Sequence, residues 1–173
     1  VDYVPSLETK SVFATYMDTA ALILERNLKP AIQGLFTIGS VGSIAQTSKS
    51  DIDYWVCIQE SVLTPSQIKQ LEKKLLLIEK MAWDKFNIQV TFFIVDVTKA
   101  RNNDFGDSTL ESSGSAQARL LKEEFYRTMI YLAGKIPLWA VLPTAVSRHY
   151  YPGIGSKIST NDPQDRYVDL GDI

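Results

Sequence analysis

Gly39-Ser40-Val41-Gly42-Ser43-Ile44-Ala45-Gln46-Thr47-Ser48-Lys49-Ser50-Asp51-Ile52-Asp53-Tyr54-Trp55-Val56 is the stretch on which the fold and the chemistry turn. The apolar run Leu35-Phe36-Thr37-Ile38 ahead of it reads as a buried strand that stops at Gly39-Ser40. The small, polar residues 41–50 read as a loop. A second strand over 51–59 follows. Strand alternation puts Asp51 and Asp53 on one face and Ile52 and Tyr54 on the other. Two carboxylates one strand repeat apart can hold a hard cation, and Mg²⁺ prefers one or two carboxylates completed by substrate phosphate oxygens. Glycines and hydroxyls just upstream let backbone N–H groups approach phosphates without a side chain in the way. An Asp-x-Asp alone marks a solvent-facing strand edge as readily, and a Gly/Ser run alone a connector. The two together, in this order between apolar strands, favour a triphosphate–metal grip.

Working outward, residues 7–28 carry a helical apolar rhythm, with Phe13, Tyr16, Met17, Ala20, Ile23, Leu24 and Leu28 on one face and Pro30 ending it. Thr64-Pro65 is a helix start, because Thr caps well and Pro suits the first helical position. That helix is expected to reach about Phe86, with Ile68, Leu71, Leu75, Ile78 and Ala82 inward. The β-branched, aromatic residues 88–95 read as a third strand. Residues 102–115 read as an exposed loop, 116–132 as a helix closed by Gly134, and 137–141 as a further strand. The order predicts an α+β domain, a small mixed sheet packed with helices. Three segments are expected: an N-terminal helical segment (1–33), a core (34–143), and a C-terminal extension (144–173) cut from a longer chain.

Composition sets limits. Hydrophobic residues make up 45% and charged residues 22% of 173, and the net charge is −2. That balance argues against a nucleic-acid-binding module and for a phosphate site built locally. One cysteine, Cys57, excludes an internal disulfide and a multi-thiolate zinc site, and reads as a core residue. No apolar run approaches the roughly 20 residues that span a bilayer, so the expected location is the cytoplasm. Trp83 and Trp139 read as core aromatics. His149, beside Tyr150 and Tyr151, reads either as an adenine-stacking cluster or as surface packing.

Gly39-Ser40 with Ser50-Asp51-x-Asp53 resembles the signature of the DNA polymerase beta-like nucleotidyltransferase superfamily. The string Ser50-Asp51-Ile52-Asp53-Tyr54-Trp55-Val56-Cys57 looks more specifically like the catalytic core of class I adenylate cyclases. The likeness continues through Val90-Thr91-Phe92-Phe93-Ile94-Val95-Asp96, Glu124-Phe125-Tyr126-Arg127-Thr128, Leu132-Ala133-Gly134-Lys135 and Val168-Asp169-Leu170-Gly171, covering residues 34–171.

The resemblance implies a nucleotidyltransferase-like fold and an enzyme that converts ATP to 3′,5′-cyclic AMP and pyrophosphate with Mg²⁺. Asp51 and Asp53 would hold the metal. Gly39 and Ser40 would meet the triphosphate, Ser50 and Trp55 would support the site, and Arg127 and Lys135 would offer cations. For the last two, a solvated helix face is the competing reading. The likeness also implies an acidic residue on the third strand, at the position of Gln89. A neutral amide there predicts weaker cation binding and slow turnover, with Asp96 of opposite parity facing away. Protein regulators would act through regions outside this chain. The alternatives are transfer of a nucleoside monophosphate to an acceptor hydroxyl and a catalytically weak nucleotide-binding sensor.

Overall fold

A computed structural model describes residues 6–15, 31–105, 114–143, 148–161 and 164–173. The chain divides into two compact units, Val1–Pro30 and Ala31–Ile173. In the first, helix α1 spans Leu7–Ala14. The apolar face expected over 7–28 falls largely outside the described residues.

The second unit is built on a four-stranded mixed sheet in the order β3-β2-β1-β4. Strand β1 (Ile32–Ile38) pairs antiparallel with β2 (Ile52–Ile58), and β2 pairs parallel with β3 (Val90–Asp96). The parallel pair is joined by helix α2 (Pro65–Phe86). This helix starts where its residues dictate. Thr64 accepts from the Gln67 N–H, the Gln67 side chain accepts from the Thr64 N–H at 2.8 Å, and Pro65 occupies the first turn. It ends at Asn87, which adopts a left-handed conformation.

Alternation on β2 splits its side chains between two cores. Val56 and Ile58 pack under α2 with Leu75, and Ile68, Leu71 and Ile78 complete the inward stripe. Tyr54 stacks on Phe92 across the parallel pair at 4.8 Å. The opposite face carries Asp53, Trp55 and Cys57. Trp55 and Cys57 join Phe36, Val95, Phe125 and Leu170 in the larger core. Burial pushes the Cys57 thiol up to about 12, so it packs as a small apolar residue.

Four expectations need correction. The helix read over 116–132 is α4 (Gly114–Thr128), and Ile130–Gly134 is strand β4, antiparallel to β1. β1 needs a partner for its second edge, and pairing there overrides the continuation of the helix through Ile130, Tyr131 and Leu132. Gly134 is therefore not a helix cap. Its φ is +88°, and a Cβ there would sit 2.6 Å from the Gln33 carbonyl, so a close backbone crossing requires glycine. The strand read over 137–141 is instead the two-residue β5 (Ile136–Pro137) followed by a short helix, α5 (Leu138–Val141). Trp83, read as core, is 56% exposed; it lies outside the inward stripe of α2.

The fourth correction concerns the C-terminal extension read over 144–173, whose described residues 148–161 and 164–173 join the fold. Helix α6 (Tyr151–Asn161) leads to β6 (Tyr167–Val168), parallel to β5. Val168 and Leu170 are buried in the core of the main sheet. Asp169 fixes the segment by accepting from the Tyr151 hydroxyl and the Gly171 N–H and by pairing with Arg101 at 3.1 Å. The Tyr126 hydroxyl donates to the Gly171 carbonyl at 2.8 Å.

Candidate active site

Asp51 and Asp53 lie where β2 begins, beside the point where β1 runs out: Ile38 pairs with Asp53. Asp53 is half-buried and its carboxyl is raised above the ordinary carboxylate range. Burial is the main cause, followed by the like charges of Asp51 and Glu124. Glu124 reaches this site from α4. Nothing in the local pattern assigned it a role, although Leu121, Glu124 and Thr128 are spaced to share one helix face. Asp53 and Glu124 both line a cavity of about 690 Å³ that extends past Trp55, Phe93, Phe105 and Leu121 toward Asp96. Trp55 is buried. It stacks on Phe125 at 4.5 Å and tilts against Phe105 at 5.6 Å, giving the carboxylates a rigid aromatic base.

The loop from Gly39 to Ser50 is folded on itself. Gly39 has φ +85°, a conformation that favours glycine, and turns the chain out of the sheet. Its N–H, expected to meet phosphate, instead donates to the Thr128 hydroxyl at 2.9 Å. The Gly42 N–H donates to the Gln46 side chain, and the Ser43 N–H and hydroxyl both donate to the Ser40 carbonyl. The Ser50 hydroxyl accepts from the Thr47 N–H at 2.9 Å, closing the last turn before Asp51. Among the described residues, the N–H groups of Ser40 and Val41 have no protein acceptor. The Gly39 amide is thus committed within the protein, and the open amides nearest to it are those of Ser40 and Val41.

The two expected cations are placed differently. Arg127 lies on the outer side of α4, its side chain 74% exposed and paired with Glu123 at 3.3 Å. Lys135 is not at the site. It follows Gly134, which pairs with Gly34, whereas Asp53 pairs with Ile38. Four residues of β1, roughly 14 Å of strand, separate those levels. β4 and β2 also lie on opposite sides of β1. Lys135 pairs instead with Asp165 at 2.6 Å. The likeness runs on past the end of α4, but the chain has by then reversed direction.

Gln89 stands one residue before β3, exposed, and its carbonyl accepts from the Ile52 N–H at 3.0 Å. Since Ile52 pairs with Val90, Gln89 falls opposite Asp51, on the same face. Asp96 caps helix α3 (Val97–Arg101), accepting from the Lys99 and Glu60 N–H groups at 2.9 and 2.8 Å. Its carboxylate is thus committed at the far end of the cavity. His149 packs edge-on to the exposed Tyr150, while Tyr151 is buried against Trp139. No group of three or more His, Cys, Asp or Glu among the described residues is arranged to hold a metal by itself. Two carboxylates short of positive charge, beside two amides without acceptors, do fit a cation that arrives with phosphate oxygens.

Residues 1–140 match the model of the adenylate cyclase NT domain. The chain belongs to that family. It is 38% identical over 147 residues to an adenylate cyclase of Haemophilus influenzae, covering 83% of this chain and 17% of that protein. It is 39% identical over 143 residues to the Proteus mirabilis adenylate cyclase, covering 82% and 16%. It is 40% identical over 119 residues to the Escherichia coli K12 adenylate cyclase, covering 69% and 14%. This NT domain chain thus spans about one sixth of the length of the curated relatives it matches. A solved structure described as a toxin–antitoxin with AMP-PNP aligns over 90% of this chain and 98% of that one. It is 19% identical with a TM-score of 0.36, too remote to bear on function. No helix among the described residues is long and apolar enough to cross a membrane.

Proposed function

We propose that this NT domain is the nucleotide-binding catalytic unit of an adenylate cyclase, closing ATP to 3′,5′-cyclic AMP with release of pyrophosphate. The observation that carries the reading is that Asp53 feels the charges of both Asp51 and Glu124, with Asp53 and Glu124 lining the cavity, next to the Gly39–Ser50 loop. Asp51 and Asp53 would hold Mg²⁺, which when bound supplies positive charge against the α-phosphate and the departing pyrophosphate. The Ser40 and Val41 amides bind the triphosphate. Trp55, Phe93 and Phe105 form a wall that excludes water from the reacting end. In the reaction the ribose 3′-oxygen gives up its proton to solvent water and forms a bond to the α-phosphorus, while the bond from that phosphorus to the bridging oxygen of the β-phosphate breaks and pyrophosphate leaves with the electron pair. Positioning and electrostatics account for most of the rate.

One observation favours a weaker variant of this reading. Gln89 offers an amide where the strand register faces Asp51, so the site has one carboxylate fewer than a third acidic ligand would give. The protein then binds ATP·Mg²⁺ and turns it over slowly. Incubation of the intact protein with ATP and Mg²⁺, with cyclic AMP and pyrophosphate measured directly, tests the reading. Binding and cyclisation that persist unchanged in both Asp51→Asn and Asp53→Asn would overturn it.

A further inference from the structure

Thr128 ends α4 with its hydroxyl engaged twice. It donates to the Glu124 carbonyl at 2.9 Å and accepts from the Gly39 N–H at 2.9 Å, a contact across 89 positions of sequence. The first bond is a common habit of threonine on a helix. The second is not local: it joins the helix that carries Glu124 to the residue at which the loop leaves β1. Gly39 sits at φ +85° with nothing within 4 Å of where a Cβ would be. The hydrogen bond therefore adds to the hold of the buried, strand-paired Ile38 on the peptide that joins Ile38 to Gly39, at the point where the chain leaves β1. The next two amides, of Ser40 and Val41, have no acceptor among the described residues. They start from the position at which that bond holds Gly39, with its φ of +85° setting the turn that leads to them.

We propose that Thr128 is a positioning residue that aims the Ser40 and Val41 amides at the triphosphate and holds them in register with Asp53 and Glu124. This rests on the reading of the site as one for ATP·Mg²⁺. Valine at 128 keeps the shape and loses both hydrogen bonds; serine keeps both. The half-buried Gly39 N–H is then left without its acceptor, and the loop is released from the carboxylates it must face.

The test compares the intact wild-type protein with Thr128→Val and Thr128→Ser, with Thr128→Ala in reserve should the valine variant not fold. The probe is ATP·Mg²⁺, measured by equilibrium binding, alongside thermal unfolding and amide hydrogen exchange at Gly39. In Thr128→Val the dissociation constant for ATP·Mg²⁺ should rise about tenfold, the scale set by one lost partner of a half-buried amide. Gly39 exchange should accelerate by about the same factor. Serine should restore both. Affinity within about twofold of wild type in the valine variant, with Gly39 exchange accelerated, overturns the positioning role and leaves the nucleotide reading intact. Failure of serine to restore affinity also overturns it. Wild-type protein that does not bind ATP·Mg²⁺ overturns the nucleotide reading, and this inference with it.

Discussion

Asp53→Asn should make the metal-free protein more stable while removing its turnover. In the folded state Asp53 is half-buried and faces the like charges of Asp51 and Glu124, and all three effects disfavour its ionised form. Asparagine has nearly the same shape and no charge, so it removes two repulsions and the cost of burying an ion. A solvent-screened repulsion of this kind is worth a few tenths of a kcal/mol, and partial burial adds a comparable amount. The sum is on the order of 1 kcal/mol. For a chain of this size that raises the melting temperature by roughly 2–4 °C. The pH dependence has a definite sign. The folded protein holds the Asp53 proton more tightly than the unfolded chain does. Wild-type stability contributed by this group therefore falls as pH rises from the ordinary carboxylate value through the raised one. At pH below both values Asp53 is neutral in both states, and the two proteins should melt together. Above that window they should separate, the variant melting higher. The assay is thermal unfolding with a chelator present, repeated with ATP and Mg²⁺, which should stabilise wild type and not the variant. A variant less stable than wild type at neutral pH, or a difference that does not close in acid, would refute the reasoning.

Three further outcomes are expected. Gln89→Glu adds a carboxylate on the face of Asp51; it should lower the Mg²⁺ concentration needed for half-maximal cyclic AMP formation several-fold, and an unchanged metal dependence would show that Gln89 is not a ligand position. Lys135→Ala should leave the affinity for ATP·Mg²⁺ unchanged, because the residue sits at the other end of β1, and should cost about 0.2–1 kcal/mol from its partly exposed pair with Asp165, read by denaturant titration. Leu170→Ala should cost about 2–5 kcal/mol in the same titration, since Leu170 is 1% exposed within the main core; a loss near zero would mean that the C-terminal segment is peripheral.

The elements legible in the sequence are those whose signals are local. Helix α2 declares itself through Thr64, Pro65 and Gln67 and through a stripe from Ile68 to Ala82, and its bounds follow at both ends. β2 and β3 are short apolar runs bounded by polar residues, and they need only each other and α2. β4 was hidden because no turn residue separates 130–133 from the helix before them, and their strand state depends on the unpaired edge of a segment nearly a hundred residues earlier. The C-terminal segment was hidden for a related reason: a two-residue strand has no periodicity. What holds it are Arg101, Tyr126 and Tyr151, none of which is adjacent in sequence. The same division runs through the site. Asp51 and Asp53 are a local pair on one strand, whereas Glu124 meets them only because α4 folds back over the sheet. The Gly39 amide looked available because its acceptor, Thr128, lies 89 positions away.

The placement of Asp53 is a consequence of the core beneath it. On the Asp53 face of β2 the next residue is Trp55, stacked on Phe125 of α4, and the one after is Cys57, fully buried. Phe125 follows Glu124 directly, so one aromatic stack sets the spacing between the strand that carries Asp53 and the helix that carries Glu124. Phe36 of β1 meets the same Phe125 edge-on at 5.2 Å, which ties in the strand that delivers Gly39. Three elements with no sequence proximity therefore converge on a single ring. Close packing makes that convergence stiff, since a core at crystal-like density has few alternative arrangements. Val168 and Leu170 fill the same cluster, so the terminal segment supports the carboxylates without touching them. The repulsion that Asp51 and Glu124 exert on Asp53 is costly to the fold, and this shared aromatic centre is what holds Asp53 and Glu124 near each other against it.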